Sequence, residues 1–308
     1  MTERPVVDDY GTSMNRPIYI LTADSVPDLM SYDREAIRRL KEKGIEAHIL
    51  IWDRIETSKL REIAQENGLV LIRCCWGYYL KHEQFRNLML DLRDNGIEVH
   101  NPVETVLWNM HKSYLLDLEK AGITIVPTEL RPQGSSVDLA AIAGRTGWKE
   151  MIVKPAISAS SYETHLISGS FSEAQNAKVR DLVRRGDVLV QKFMKSVLAE
   201  GEWSMICLGD GYSFSVLKKP KPGDFRALEE FGGKYKVMKP SAVMVNASRR
   251  IKAVVEKNPL YMRIDGVMDG GRFHIMELEL IEPHLFMDIH EEGIGHFVDS
   301  LLATMDEG

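Results

Sequence analysis

The stretch "FHIMELELIEPHLF", residues 273–286, sets three acids, Glu277, Glu279 and Glu282, among Met, Leu and Ile. From Met276 to Leu280 apolar and acidic residues alternate with period two, the pattern of a strand with one apolar face. Glu277 and Glu279 then project side by side, and parallel carboxylates repel unless water or a cation lies between them. Two readings stand at this point. One is a solvated strand face. The other is a set of oxygen ligands for a divalent cation such as magnesium, which takes one or two carboxylates together with phosphate oxygens.

Immediately upstream, "LYMRIDGVMDGG" turns at Asp269-Gly270-Gly271, a hairpin signal. The antiparallel return brings Asp265 beside the pair. Three converging carboxylates with lysines and an arginine nearby describe a nucleotide–magnesium site. Glu282 reads as a structural acid that orients Arg263 or a neighbouring turn.

Further out, strand-like segments 17–24, 45–53, 69–76 and 97–102 alternate with helix-like segments 33–44, 56–68 and 81–96. This is the pattern of an open parallel α/β unit, whose ligands sit at the carboxyl ends of strands, here near Asp24, Asp28 and the turn after Arg73. A helix is expected over about 103–121, and "ITIVPTEL" reads as a strand running into a loop. The block 149–194 reads as a small α+β unit, with a Ser-capped helix over 171–186. Two strands joined by Asp210-Gly211 follow, then a loop over 218–239, a helix at 241–257 and a last helix near 294–305.

The chain has 308 residues, 44% hydrophobic and 27% charged, enough for two or three folded domains. A net charge of -6 argues against generic nucleic-acid binding, so an anionic ligand needs locally placed Lys and Arg. Three cysteines, an odd count, argue against a disulfide framework and for a reducing, cytoplasmic setting. The polar start lacks an apolar signal region, no run reaches membrane-span length, and residues 1–15 read as a loose tail.

Lys154 ends the apolar strand "MIVKP", where an unpaired ammonium is costly and must find a partner. Ser158, Ser160 and Ser161 follow with Ala159, small residues that let N–H groups and hydroxyls approach phosphate, although no Walker loop is present. Lys112 lies on the helix at 103–121. The strand ending at Gln191 and Lys192 exposes backbone groups able to read a planar base, and Glu202 is placed to take ribose hydroxyls. Arg226 stands between Pro222-Gly223 and Gly232-Gly233 in a lysine-rich stretch, with a fork suited to phosphate or carboxylate. Arg73 ends an apolar strand and needs an anion, either a substrate carboxylate or Asp24 or Asp28. Cys74 and Cys75 read as small buried residues rather than nucleophiles.

The order "NPVETVLWNMHKSYL", "MIVKPAISAS", "VLVQKFM", "EGEWS", "GDFRALEEFGG", "RIDGV", "MELELIEP" resembles the ATP-grasp superfamily near glutathione synthetase and RimK-type ligases. More narrowly, "WNMHKSYLLDL", "EGEWSM", "KPKPGDFR" and "ELELIEP" resemble the D-cycloserine synthetase (O-ureido-serine cyclo-ligase) group. The resemblance implies an α/β protein, α+β overall: an open parallel N-terminal domain and two α+β subdomains sandwiching ATP. The implied division is a tail (1–15), an N-terminal substrate domain (16–104), a central subdomain (105–192) and a C-terminal subdomain with the metal site (193–308).

Carried residue by residue, the resemblance puts Lys112, Lys154 and the 158–161 loop on ATP phosphates. It makes Gln191, Lys192, Phe193 and Met194 the adenine hinge, with Glu202 on the ribose. Arg226 would contact the transferred phosphate, and Asp265, Glu277 and Glu279 would hold Mg2+, or Mn2+ in its place. Arg73, Gly232 and Gly233 are candidate substrate contacts. Glu279 replaces the Asn that many relatives carry, and Gly77 replaces an Asp of the "RSTWDY" pattern. The implied activity is ADP-forming ligation of a small carboxylate to an amine. An intramolecular cyclo-ligase and a non-catalytic nucleotide-binding regulator are the alternatives. Partners would be small amino-acid-like molecules, with no nucleic acid and no membrane, and a homodimer is allowed.

Overall fold

The computed structural model describes residues 16–255 and 258–306, so the expected N-terminal tail lies outside the described residues. The first unit runs β1 (Ile18–Thr22), α1 (Ser31–Glu42), β2 (Ala47–Ile51), α2 (Thr57–Gln65), β3 (Leu69–Cys74), α3 (His82–Asp94) and β4 (Glu98–His100). Its sheet is parallel with order β2-β1-β3-β4. β1 and β3 are the inner strands and are buried along their whole length, as expected for a sheet covered on both faces.

The single helix expected over 103–121 is two, α4 (Val103–Asn109) and α5 (Tyr114–Lys120). The chain breaks between them because the Lys112 N–H donates outward to the Ala156 carbonyl at 2.8 Å. The central unit then runs β5 (Thr128–Arg131), α6 (Leu139–Thr146), β6 (Glu150–Pro155), β7 (His165–Ser168), α7 (Glu173–Arg185) and β8 (Val188–Lys192), with antiparallel order β5-β8-β6-β7. β5 lies where the sequence reads as a loop. The apolar residues before it instead meet the strand Arg272–Glu279 edge-on, Val126 N–H donating to Ile275 O and Ile275 N–H to Thr124 O.

After a one-turn α8 (Ser196–Ala199) come β9 (Glu202–Leu208), β10 (Gly211–Lys219), β11 (Lys234–Val237), α9 (Ala242–Val254), β12 (Tyr261–Asp269), β13 (Arg272–Glu279) and α10 (Glu292–Asp306). The third sheet has order β11-β10-β9-β12-β13. β11 is an edge strand inside the expected 218–239 loop.

The central sheet has its own core, built on Val153, Ile167, Val179, Leu182 and Val190. The first and third sheets share one: Ile18, Ile20 and Leu40 pack with Ile206, Leu208, Phe297 and Leu301. Polar ties reinforce that junction. The Tyr261 hydroxyl donates to Ile72 O and Ile281 O, and the Asn101 side-chain amide donates to Tyr261 O at 2.9 Å and Leu280 O at 2.7 Å. Among the described residues no helix is long and apolar enough to cross a membrane.

Candidate active site

Between the central and third sheets lies a cleft of about 240 Å³, to which the first unit contributes Trp76. Val126, Met194, Val197 and Met276 pack together as an apolar part of the lining, with Ile152 and Phe193 also lining the cleft. The hinge stretch is fixed by the Lys192 N–H donating to Pro127 O, the Phe193 N–H to Glu150 O, and the Gln191 amide to Thr128 Oγ1. Lys192 itself is exposed.

Strand register builds the charged part of the lining. β12 and β13 set Arg263 opposite Glu279 and Asp265 opposite Glu277. β9 sets Ser204 opposite Asp265, and β10 sets Lys218 opposite Glu202. The register slips by one residue between Asp265 and Gly266. Only glycine fits there, because a Cβ would lie 2.5 Å from His274 O and 2.8 Å from the Phe273 ring.

The charges are paired. Glu277 takes Lys112 at 3.0 Å and Lys154 at 3.5 Å. Asp265 takes Arg263 at 2.9 Å and Lys218 at 3.3 Å, and also the Ser204 hydroxyl. Arg263 also reaches Glu279, and Lys218 reaches Glu202. Enclosure alone would raise the Glu277 carboxyl, but Lys112 and Lys154 hold it at about 2. Asp265 is likewise held at about 2 by Arg263 and Lys218 against its burial. Glu279 goes the other way, to about 7: desolvation and the charges of Asp265 and Glu277 outweigh Arg263. The Glu279 side of the cluster is short of positive charge. Burial pulls Lys154 below the usual lysine range.

Among the described residues no three Asp, Glu, His or Cys side chains are gathered as a ready metal cage. Even so, Asp265, Glu277 and Glu279 fit magnesium in donor type, being hard oxygens in a row. A nucleotide's polyphosphate brings further negative charge beside these acids, which a cation held between them would offset.

Ser158, Ser160 and Ser161 line the cleft, the last two in left-handed backbone at φ 49° and 56°. That conformation is uncommon outside glycine and folds the loop tightly against Lys112, which donates to Ser158 O. Glu202 also lines the cleft.

Four expected residues are not brought to it. Arg226 is tied to Asp224 at 2.8 Å and lies 3.5 Å over the Phe231 ring, leaving Phe225 and Leu228 to face the cleft. Gly232 and Gly233 shape the turn above Arg226, where a Cβ on Gly233 would lie 2.6 Å from Ala227 O. Arg73 is 2% exposed, paired with Asp33 at 2.8 Å and enclosed by the Tyr261 and Phe297 rings. Its anion is thus an internal acid, and Asp24 pairs with Arg54 instead. Cys74 and Cys75 are buried, and burial pushes the Cys74 thiol up to about 12.

The cleft contains residues that motif reading passed over. Arg263 was expected to answer Glu282; its guanidinium bonds go to Asp265, Glu279 and His284 O. The signal for it was present, since an Arg two residues before Asp265 on the same strand shares that face. Lys218 was hidden in a run of lysines, of which it alone is buried in an ion pair here. Trp76 and His284 also line the cleft.

Comparison with known proteins follows the same geometry. Residues 18–101 match the family model for the N-terminal domain of D-cycloserine synthetase DcsG. Along the sequence, the chain is 24% identical over 310 residues to the cycloserine biosynthesis protein DcsG of Streptomyces lavendulae, covering 94% of this chain and 99% of the relative. Its structure is similar to that of D-cycloserine synthetase DcsG (TM-score 0.81, 23% identity, 94% of this chain and 99% of the other). It is also similar to D-alanine–D-alanine ligase from Bacillus anthracis complexed with ATP (0.69, 15%, 97% and 100%) and to the ATP-grasp ligase PsnB with Mg and ADP (0.63, 15%, 99% and 100%). The three sheets, the cleft between the second and third, and these matches together show that the chain has the ATP-grasp fold.

Proposed function

We propose that this chain is an ATP- and magnesium-dependent, ADP-forming ligase that activates a carboxylate as an acyl phosphate and joins it to an amine. The observation that carries the reading is the polarity of one cleft. An apolar slot bounded by the Gln191–Met194 hinge suits a planar base, and the charged part of the lining sets Lys112, Lys154, Lys218 and Arg263 among Asp265, Glu277 and Glu279. That is an arrangement for binding a nucleotide and stabilising phosphoryl transfer by placed charge.

In this scheme Lys112 and Lys154 turn from Glu277 to the phosphates, and the 158–161 loop closes on them. Asp265, Glu277 and Glu279 hold the metal, which when bound neutralises phosphate charge. Manganese would satisfy the same oxygens. Arg263 and Lys218 stay buried beside the reacting phosphate. A substrate carboxylate oxygen attacks the γ-phosphorus and ADP leaves. The amine nitrogen then attacks the acyl carbon, phosphate departs, and the nitrogen loses a proton. Arg226 would reach the phosphate only if the 222–233 turn moves. Cys74, Cys75 and Cys207, all unpaired and buried, suit a cytoplasmic setting, and a homodimer is compatible with the reading.

A second reading, intramolecular cyclisation, is favoured by the match to DcsG over nearly the whole length of both chains. ADP release would be measured with Mg-ATP and candidate acid–amine pairs or single molecules carrying both groups. Substrate-dependent ADP formation that stops on chelation supports the ligase reading. Product mass separates the two versions.

A further inference from the structure

Glu282 is the one acid of the 273–286 stretch that the ion-pair network leaves out. Its Oε2 is enclosed, yet it has no hydrogen-bond partner, while the residue lines the cleft with Trp76 and His284. The backbone there is rigidly held. Leu280 is buried in the core of the third sheet, Ile281 in that of the first unit and Leu285 in the core the two share, and the Tyr261 hydroxyl donates to Ile281 O at 3.0 Å. The main chain at Glu282 is therefore held in place, and its half-buried side chain leaves Oε2 without a protein partner. A buried polar atom left unsatisfied is costly, and an uncompensated carboxylate more so.

From these facts we infer that Glu282 receives the nitrogen of the acceptor amine, and that with Trp76 and His284 it forms the acceptor subsite at the floor of the first unit. The proposal rests on the ligase reading above and names which part of the cleft the nucleophile occupies.

The surroundings agree. Glu282 lies at the carboxyl ends of the parallel strands, where β3 runs into Trp76 and the left-handed Gly77, the ligand edge of such sheets. The charges that act on it are those of Glu279, Arg73 and Arg263, and its own charge is felt by Tyr78, Tyr79 and Cys75 on the first unit's side. Desolvation and Glu279 push its carboxyl well above the ordinary range, against Arg73 and Arg263. A cationic or N–H-donating ligand is what such a group lacks. Trp76, 40% exposed, offers its ring as a wall for the acceptor's carbon skeleton. His284 is kept neutral by burial, falling to about 4, so it adds no charge to repel an ammonium.

The test is calorimetry on the full chain saturated with magnesium and β,γ-imido-ATP. The common L-α-amino acids and their D-enantiomers are titrated, each against its N-acetyl form. The expected result is a free amino acid that binds at least tenfold more tightly than its N-acetyl form, with Glu282→Gln losing at least tenfold of that affinity. Nucleotide and magnesium affinity should stay within twofold. Trp76→Ala should weaken the same ligand. Unchanged amine affinity in Glu282→Gln, equal binding of N-acetyl forms, or no binding by any member of the panel overturns the assignment. So does loss of magnesium affinity with amine affinity kept, which would make Glu282 a metal ligand. Failure of the wild-type protein to bind Mg-nucleotide would overturn the ligase reading itself, and is seen before any amine is added.

Discussion

At the scale of single residues, the same sequence signal has opposite meanings at Arg73 and Arg263. Both are arginines in apolar strands. Arg73 is closed off by Tyr261 and Phe297 and answered by Asp33, whereas Arg263 is answered by Asp265 and Glu279 at the cleft. Arg73→Met should therefore leave Asp33 buried and unpaired and destabilise the protein by about 3–5 kcal/mol, with nucleotide affinity unchanged. Denaturant unfolding and calorimetry would check this, and a stable variant with lost substrate binding would reverse the assignment. The thiols give a second expectation. Burial raises Cys74 and Cys207 to about 12 and Cys75 above the ordinary thiol range, so the reactive thiolate is scarce at pH 8. A disulfide reagent should label none of the three in minutes on the native chain, and all three in denaturant. Rapid native labelling would show that these strands open. Period-two alternation gave the acids' face directly, but no sequence pattern reports which acid an arginine will meet across 40 or more residues.

At the scale of elements, the β12–β13 hairpin does most to place the site. Its turn and its cross-strand pairing of Asp265 with Glu277 are legible from Asp269-Gly270-Gly271 and the alternation that follows. The slip at Gly266 is not, because a bulge depends on what packs against it, here His274 O and the Phe273 ring. Gly266→Ala should cost about 1–3 kcal/mol through overpacking and, by shifting Asp265, lower metal-dependent nucleotide binding. A melting curve with a magnesium titration would detect both effects, and a neutral variant would mean the hairpin has slack. The break between α4 and α5 is equally illegible. Residues 103–121 have helical composition throughout, and it is the remote Ala156 carbonyl that draws the Lys112 N–H out of the helix and turns its ammonium toward Glu277.

At the scale of the whole molecule, the alternation of strand and helix through residue 100 made the first sheet readable, and motif order made the rest recognisable. What neither conveyed is how the cores join. The first and third sheets share a core that holds Leu40 and Leu301, while the central sheet has one of its own and lends Leu130 and Leu189 to the third sheet's, because such clusters depend on docking rather than on any local period. The cleft therefore lies between a joined base and a cover that packs mostly on itself. Amide exchange should show the base protected as one unit and the 158–164 loop gaining protection when Mg-nucleotide binds. Uniform exchange unaffected by nucleotide would contradict that division.

In the proposed reading, one cleft binds ATP through Lys112 and Lys154 and a cation through Asp265, Glu277 and Glu279. Titration calorimetry with ATP, in magnesium and then in chelator, on wild type, Lys154→Met and Glu277→Gln tests it most directly. The expected result is saturable binding by wild type that weakens at least tenfold, or about 1.4 kcal/mol, on chelation. Lys154→Met should bind at least tenfold more weakly in either condition, and Glu277→Gln should lose most of the magnesium dependence. Equal ATP affinity in all three proteins, with and without magnesium, would contradict the account.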